Sequence, residues 1–185
     1  MPAEFAAAAA ALRSVTARPE VRLAEATAPA RLAPFGAALT ATVSDGEDEL
    51  AHGRLILLYD PDGHEAWDGC ARLVTYIRTE LEAELVSDPL LHDVAWHWLE
   101  ESLVGHGVTM AAASGTVTRV QSHAYGELAA DAEDEPAGEL EIRASWSPGE
   151  DVRAHVEAWV DVLCIAAGLP PVLPGVLSLP ARRGR

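Results

Sequence analysis

A five-residue segment, HEAWD, carries the residue types of an acid–base catalyst. His64 and Asp68 stand four positions apart, and a histidine that is oriented by a carboxylate can act as a general base. Together with Glu65, they are the catalytic candidates of this sequence. A glycine flanks the segment on each side, so the alternative interpretation is a turn whose Trp67 packs against the domain.

A second segment, LLHDVAWHW at residues 90–98, concentrates two histidines and two tryptophans in nine positions. Successive residues of a helix turn by about 100°, which puts His92 and His97 about 140° apart around the axis. Side chains in these two directions cannot share a metal ion as an i, i+4 pair can. We therefore predict no metal site here, and the two cysteines of the chain show no zinc-ligand spacing either.

The same helix predicts a broad apolar surface. Trp98 falls among the residues that face the core, because large aromatic side chains are usually buried. Trp96 falls on a flank with His92, Leu99 and Leu103, where a tryptophan can fill a cleft or an interface. These four residues are the predicted partner-binding surface.

The charge of the chain excludes several classes of function. Twenty-nine acidic side chains against thirteen basic ones give a net charge of −16, which repels phosphate backbones and anionic lipid surfaces. We expect no direct nucleic-acid partner and no membrane contact. All basic residues are arginine, which excludes the chemistry of Schiff-base, pyridoxal and P-loop lysines, and no cofactor is predicted.

The cysteines indicate a reduced environment. Cys70 and Cys164 lie far apart in the sequence, on predicted apolar helix faces where a free cysteine behaves as a small hydrophobic residue. The alanine-rich start contains Glu4 where a signal peptide carries basic residues, and no apolar stretch reaches the roughly 18 residues that cross a bilayer. The sequence therefore predicts a cytoplasmic protein.

Hydrophobic patterning predicts the elements that position these residues. Apolar segments around a polar turn indicate one hairpin, and the alternating ELEIRASW is a half-buried strand of another. Apolar residues recur at helical spacing after DPDGHEAWDG, and SPGE is typical of a capping box in which Ser147 caps the last helix. The fold class is α+β: an antiparallel sheet built from two β-hairpins, at about residues 35–59 and 108–147, with helices packed on it at about 3–16, 68–86, 89–104 and 149–167.

Three finer expectations follow from the same patterns. The strand LILLY is apolar on both faces, so it should be central in the sheet and covered on both sides. Cross-strand pairs are expected between two sets of polar side chains, Arg119, Gln121 and His123 on one strand and Glu139, Glu141 and Arg143 on the other. Residues 1–168 should form one domain, and residues 169–185 a proline-rich C-terminal arm that lies on the domain or on a neighbour.

Six segments together resemble one known family: RLAPFGAALTA, DPDGHEAWDG, SDPLLHDVAWHWLEESL, ASGTVTRV, ELEIRASW and HVEAWVDVLCIAAGLPP. They look like an actinobacterial family known as a domain of unknown function, number three thousand in its series. The resemblance covers about residues 4–181. It implies a cytoplasmic, single-domain protein from a GC-rich genome, which accounts for the missing lysines, and it implies no activity, cofactor or catalytic residue.

These features predict a non-enzymatic, cytoplasmic protein that binds a protein partner as an adaptor or chaperone-like module, with a second copy of itself as one candidate. A broad apolar helix inside an acidic shell is typical of such a surface. The order of elements and the acidic charge resemble those of small type III secretion chaperones, which often dimerise. The competing hypothesis is an enzyme of unknown reaction with a polar site at His64, Glu65 and Asp68.

Overall fold

In the computed structural model, which describes residues 1–127 and 138–171, six strands form one antiparallel sheet and helices pack on one of its faces. The strands are β1 (Val21–Ala26), β2 (Phe35–Asp45), β3 (Asp48–His64), β4 (Gly69–Leu81), β5 (Ala111–Gln121) and β6 (Gly138–Ser147). The helices are α1 (Ala3–Arg13), α2 (Ala83–Val86), α3 (Leu91–Gly105) and α4 (Val152–Ala166), with a 3-10 turn at Glu65–Trp67. The order across the sheet is β1-β2-β3-β4-β6-β5.

The predicted α+β class is confirmed, and both predicted hairpins are present. Strands β2 and β3 form the first hairpin, and β5 and β6 form the second. Because β6 pairs with β4, strand β5 becomes one edge of the sheet and β1 the other. The helices expected at about 3–16, 89–104 and 149–167 correspond to α1, α3 and α4.

The helix predicted at about residues 68–86 is wrong for most of its length. Gly69–Leu81 form strand β4, and only Ala83–Val86 are helical. A spacing of four residues fits one face of a strand as well as one side of a helix, because it is a multiple of the strand period and close to one helical turn. The buried apolar residues of β4 have this ambiguous spacing: Leu73, Ile77 and Leu81.

Two buried threonines interrupt the pattern of alternating apolar and polar residues by which β4 could be recognised as a strand in the sequence. Thr75 and Thr79 lie on the same face of the strand as the buried apolar residues. Thr75 Oγ1 donates to the carbonyl oxygen of Arg54 at 3.0 Å, and Thr79 Oγ1 lies 2.9 Å from the carbonyl oxygen of Leu50. Hydroxyl groups that are satisfied in this way can be buried, so a polar residue type at these positions does not indicate exposure.

Helix α4 begins later than its predicted capping box. Asp151 caps the helix, since its Oδ1 accepts a hydrogen bond from Ala154 N at 3.1 Å. Ser147 instead ends strand β6, so the capping-box prediction is wrong. Cys70 likewise lies in strand β4 and not on a helix, whereas Cys164 is buried in α4 as expected.

Helix α4 is the centre of the helical layer. It packs against α1, α3 and strands β2 and β3, and buried side chains occupy nearly all of its sides. A Cβ atom at Gly53 of β3 would lie 2.8 Å from Leu163 and 2.9 Å from Trp159 of this helix. Glycine at this position therefore allows the helix to approach the sheet closely.

Strand β3 has the predicted central position, between β2 and β4, but it is not covered evenly on its two faces. Leu55 and Leu57 are fully buried beneath the helices. On the opposite face Leu58 is buried, and it lies with Ala28 next to Gly36, whereas Ile56 is half-exposed. Within the described residues no helix covers this second face, so the predicted two-sided coverage is wrong except near Leu58.

The register of β5 against β6 corrects the predicted cross-strand pairs. Thr118 lies opposite Glu141, while Arg119 lies opposite Leu140 and points to the helical side. There Arg119 Nη1 donates to the carbonyl oxygen of Val86 at 3.1 Å. Because side chains alternate between faces, a difference of one residue places Arg119 and Gln121 on the side opposite their predicted partners, while His123 lies beyond the end of β5. The three residues whose predicted pairing is wrong are Arg119, Gln121 and His123.

Most of the predicted C-terminal arm, residues 169–185, lies outside the described residues. Within the part that is described, Leu169 packs against the core. The carbonyl oxygen of Pro170 accepts a hydrogen bond from Arg18 Nη1 at 2.9 Å. The arm therefore begins on the surface of the domain.

His155 is a buried titratable group in the core. It is fully buried, and its Nδ1 accepts a hydrogen bond from Trp146 Nε1 at 3.1 Å, which places the proton of the neutral ring on Nε2. His155 Nε2 is buried without a hydrogen-bond partner among the described residues. Burial lowers the pKa of His155 to about 4, and the charge of Asp151 opposes this shift only in part.

The shifted pKa of His155 predicts a loss of stability in acid. A histidine in the unfolded chain has a pKa near 6.5, so it takes up a proton at a higher pH than the folded one. The free energy of unfolding is therefore highest above about pH 6.5 and decreases as the pH falls toward 4. The wild-type free energy of unfolding should fall by on the order of 3 kcal/mol more than that of His155→Gln across this window. Urea denaturation at both pH values measures this, and glutamine keeps an acceptor for Trp146. The same pH dependence in both proteins would contradict the shift.

Candidate binding surface on the open face of the sheet

The face of the sheet opposite the helices carries polar side chains in rows. Residues that are paired in antiparallel strands point to the same side, so the register aligns three rows across all six strands. The rows are Arg22, Thr42, His52, Arg78, Glu141 and Thr118; Ala24, Thr40, Arg54, Tyr76, Arg143 and Thr116; and Ala26, Ala38, Ile56, Val74, Ser145 and Ser114. We call this surface, with Arg72 at the next position of β4 on the same side, the open face.

The open face concentrates positive charge. Five of the thirteen arginines lie on it: Arg22, Arg54, Arg72, Arg78 and Arg143. Arg78 pairs with Glu139, and Arg143 pairs with Glu141 at 3.0 Å. The other three arginines form no ion pair within residues 1–127 and 138–171. Glu80, Glu139 and Glu141 lie on the same side of the sheet, so the five arginines outnumber three glutamates there. In a chain with a net charge of −16, this surface is therefore a locally basic patch.

Tyr76 lies at the centre of the open face. Its hydroxyl donates to Glu141 Oε1 at 2.8 Å, and the guanidinium carbon of Arg143 lies 5.2 Å from its ring centroid, which is a cation–π contact. Burial and the hydrogen bond to Glu141 raise the pKa of Tyr76, so its hydroxyl keeps its proton at neutral pH. These contacts fix the position of Arg143, although its side chain remains mostly exposed.

Arg72 is a buried arginine without an acidic partner in the described part of the chain. It is 6% exposed, and burial lowers its pKa, although a guanidinium remains charged in proteins. Arg72 Nη1 donates to the carbonyl oxygen of Ala112 at 2.8 Å and to Ser147 Oγ at 3.3 Å. Arg72 Nη2 donates to Ser145 Oγ at 2.8 Å and to Ser114 Oγ at 3.4 Å. All four acceptors are neutral.

Two of the shallow depressions on the open face are lined in part by residues of β4. One, of about 340 Å³, adjoins the serines that bind Arg72, and its lining includes Val74, Ser114, Gly115, Thr116, Arg143 and Ser145. The other, of about 520 Å³, is lined in part by Thr42, Glu49, His52, Tyr76, Arg78 and Glu80. Small-molecule sites usually enclose most of their ligand, so these open depressions are better suited to a ligand that lies along the surface.

The catalytic candidates lie on the turn between β3 and β4. His64 ends β3, Glu65 begins the 3-10 turn, and Asp68 follows it with a φ of 53°. All three side chains are exposed. The ring of His64 stacks on Trp67 with the centroids 4.9 Å apart, and His64 Nδ1 accepts from Ala66 N at 3.2 Å. Within the described residues no hydrogen bond joins His64 to the other two candidates, so the turn does not assemble them into one site.

Two of the four predicted partner-binding residues belong to the core of the chain itself. Leu99 is 0% exposed and Leu103 is 1% exposed, so neither side chain is available to a partner, which corrects the predicted surface. Both are buried because α3 packs against α4 and β5. His92 is half-buried, and Trp96 and Trp98 are half-buried and packed against the core.

Trp96 is covered on one side by strand β5 of its own chain. A Cβ atom at Gly115 would lie 2.6 Å from the Trp96 ring and 2.4 Å from the carbonyl oxygen of Arg143. The Trp96 Nε1 donates to Glu100 Oε1 at 3.0 Å. Glycine at position 115 therefore allows the ring to pack against the strand whose other side belongs to the open face.

The described residues contain no group of three or more His, Cys, Asp or Glu side chains that could hold a metal ion. In the same part of the chain, no helix is both long enough and apolar enough to cross a membrane. The two histidines of the LLHDVAWHW segment lie on α3, where His97 is exposed and its Nδ1 lies 2.6 Å from the carbonyl oxygen of Asp93.

The open face was not predicted from the sequence, because residues 68–86 were predicted to be a helix and most of them form strand β4. As a strand, the segment RLVTYIR places Arg72, Tyr76 and Arg78 on one side and the buried residues on the other. The signal that could have found this is its content of β-branched and aromatic residues, which favours a strand. The serines around Arg72 lie 42 to 75 positions away along the chain, so no local pattern brings them together.

The fold defines an α+β protein with a single antiparallel sheet, one face of which is left open by the helices in the described part of the chain. The chain belongs to the family described as "Protein of unknown function (DUF3000)", which it matches over residues 1–177. The family expected from the resemblance is thereby confirmed, and its restriction to actinobacteria stays a prediction. No match was found among curated proteins or among solved structures.

Replacing Gly115 with alanine should lower the free energy of unfolding by about 1 to 3 kcal/mol, because the added Cβ would overlap Trp96 and the carbonyl oxygen of Arg143. Urea denaturation followed by tryptophan fluorescence measures this change. Gly149→Ala is the matched control, since a Cβ there would meet nothing within 4 Å. An unchanged unfolding midpoint for Gly115→Ala would contradict the close packing of Trp96 on β5.

Proposed function

We propose that the protein is a non-enzymatic, cytoplasmic binding module whose open face holds a short acidic segment of a protein partner. The observation that carries this proposal is the concentration of five arginines on a face of the sheet that no helix of the described residues covers, in a protein with a net charge of −16. Arg22, Arg54 and Arg72 have no carboxylate partner among the described residues. A surface with unpaired positive charge is complementary to an acidic segment.

The shape and side chains of the open face support an extended ligand. The rows cross six strands, and four threonines lie in the same rows as the arginines, at positions 40, 42, 116 and 118. Hydroxyl groups can accept and donate hydrogen bonds along a peptide, while Tyr76 and Arg143 offer the side-chain types that are enriched at protein interfaces. An extended peptide therefore has both polar and aromatic contacts available on this face.

The distribution of charge favours a short acidic segment over a nucleic acid. Each arginine acts mainly on ligand charges within a Debye length of about 8 Å. The parts of a long polyanion that extend past the open face lie next to the acidic remainder of the surface, which repels them. A segment of a few residues stays within reach of the arginines. The proposal therefore keeps the expectation of no direct nucleic-acid partner and no membrane contact.

A second copy of the chain is the other candidate partner. Strand β5 is an edge of the sheet, and Val120 near its end is 44% exposed. Unpaired edge strands can pair with another chain. Size-exclusion chromatography with light scattering tests this, because a monomer would have a mass of 19.6 kDa. That mass at high protein concentration would exclude the homodimer.

Binding of an acidic segment is tested with a labelled octapeptide of alternating glutamate and serine, compared with its glutamine–serine counterpart by fluorescence anisotropy. The glutamate peptide should bind, and Arg22→Glu should weaken its binding about fivefold to tenfold, because the substitution reverses an exposed charge that forms no ion pair within the described residues. Arg153→Glu makes the same change of charge on helix α4, away from the open face, and is the matched control. Its effect should stay within about twofold.

Three results would contradict the proposal. Equal binding of the two peptides would show that charge is not recognised, and equal weakening by Arg22→Glu and Arg153→Glu would show that the effect is not local. A single-stranded oligonucleotide that binds more tightly than the glutamate peptide would indicate a nucleic-acid surface. The acidic residues at 131–135 can be replaced with serine to remove an internal competitor, and peptide binding should persist or tighten.

A further inference from the structure

The charge of Arg72 is not neutralised by any carboxylate of the described residues. A buried charge is usually paired, because the loss of hydration is unfavourable. The chain has 29 acidic side chains, yet the four hydrogen bonds from the Arg72 guanidinium go to one carbonyl oxygen and three hydroxyl oxygens. The positive potential of this group therefore extends through its neutral neighbours to the adjacent surface.

The serines that accept from Arg72 can donate on the far side. Ser145 Oγ and Ser114 Oγ both accept from Arg72 Nη2, and the two hydroxyl oxygens lie 3.3 Å apart. A hydroxyl has one hydrogen to donate, and accepting from Arg72 turns that hydrogen away from the guanidinium. One hydrogen can bridge the two serines, which leaves the other for a ligand. The hydrogen of Ser147 is engaged, because its hydroxyl donates to the carbonyl oxygen of Trp67.

The depression of about 340 Å³ adjoins these two serines and adds two further donors. Thr116 and Arg143 line it, and both are exposed. The Arg143 guanidinium is positioned by the Tyr76 ring and by Glu141, which leaves some of its five N–H donors for a ligand. Hydroxyl and guanidinium donors thus surround one open space above a buried positive charge.

We propose that this depression binds a phosphate group, which accepts hydrogen bonds from Ser114 or Ser145, Thr116 and Arg143, while Arg72 beneath the serines supplies a second positive charge. A phosphate monoester carries close to two negative charges and three strong acceptor oxygens, which match two arginines and several separate donors. The inference rests on the proposed function, since the phosphate would belong to a phosphorylated residue of the acidic segment.

The site is tested by titrating the full chain with inorganic phosphate, followed by amide NMR, with chloride at matched ionic strength as reference. Phosphate should shift the resonances of residues 114–116 and 143–145 in a saturable way, and chloride should not. Ser145→Ala should weaken phosphate binding about tenfold, because it removes a donor and an acceptor of Arg72. Ser122→Ala, an exposed serine after β5, is the matched control and should leave binding unchanged.

Arg72→Met should abolish the phosphate-specific shifts. If this variant does not fold, Thr116→Val replaces it, because Thr116 is exposed and only its hydroxyl is removed. Equal shifts with phosphate and chloride, or phosphate binding that is unaffected by both Ser145→Ala and Thr116→Val, would overturn the site.

The source of the phosphate is tested with a serine-containing acidic peptide in its phosphorylated and unphosphorylated forms. The phosphorylated form should bind about tenfold more tightly to the wild type, and this advantage should disappear in Ser145→Ala. Equal binding of both forms, while inorganic phosphate still binds, would overturn the assignment to a phosphorylated partner. If the acidic peptide binds but phosphate has no effect, the phosphate site is contradicted and the proposed function is not. If phosphate binds but the acidic peptide does not, the proposed function is contradicted.

Discussion

The close packing of helix α4 on strand β3 is the interaction that determines the rest of the architecture. Trp159 and Leu163 of the helix lie on Gly53, so the helix approaches the sheet more closely than a side chain there would permit. Helices α1 and α3 then pack on the two sides of α4 and complete the cover of the inner face. Since the helices of the described residues all pack on this side, none of them covers the other side of the sheet.

This one-sided cover converts the alternation of each strand into a division between core and surface. Strand β4 makes the division most clearly, because Leu73 and Ile77 are buried in the core while Tyr76 and Arg78, at the intervening positions, lie on the open face. Long arginine side chains suit such a face, since their aliphatic parts can cover apolar atoms and their charged ends stay hydrated. A locally basic surface on an acidic protein is therefore a consequence of strand alternation together with the choice of side chains on one face.

The class, both hairpins and three of the longer helices could be predicted from the sequence, because apolar periodicity together with the polar turns between apolar segments indicates them. The prediction for residues 68–86 was wrong because the buried apolar residues of β4 recur every four positions and its buried threonines are polar residue types. The open face could not be recognised without β4. Helical spacing predicts that Trp96 shares a flank of α3 with Leu99 and Leu103, yet both leucines are buried, and only the tertiary structure shows that Gly115 of β5 covers one side of Trp96. Contacts between residues that are distant in sequence leave no local pattern.

The surroundings of Arg72 differ from the well-satisfied sites described above. Local preference and tertiary structure agree at the Asp151 cap of α4 and at the buried hydroxyls of Thr75 and Thr79. Around Arg72 they conflict, because a buried charge meets only neutral acceptors and Ala112, whose carbonyl oxygen is one of them, has a φ of 46°. Such conflicts concentrate where function constrains a protein. An anion in the adjoining depression would resolve the electrostatic part of this conflict, because it supplies the negative charge that Arg72 does not find among the described residues, while the strain at Ala112 would remain.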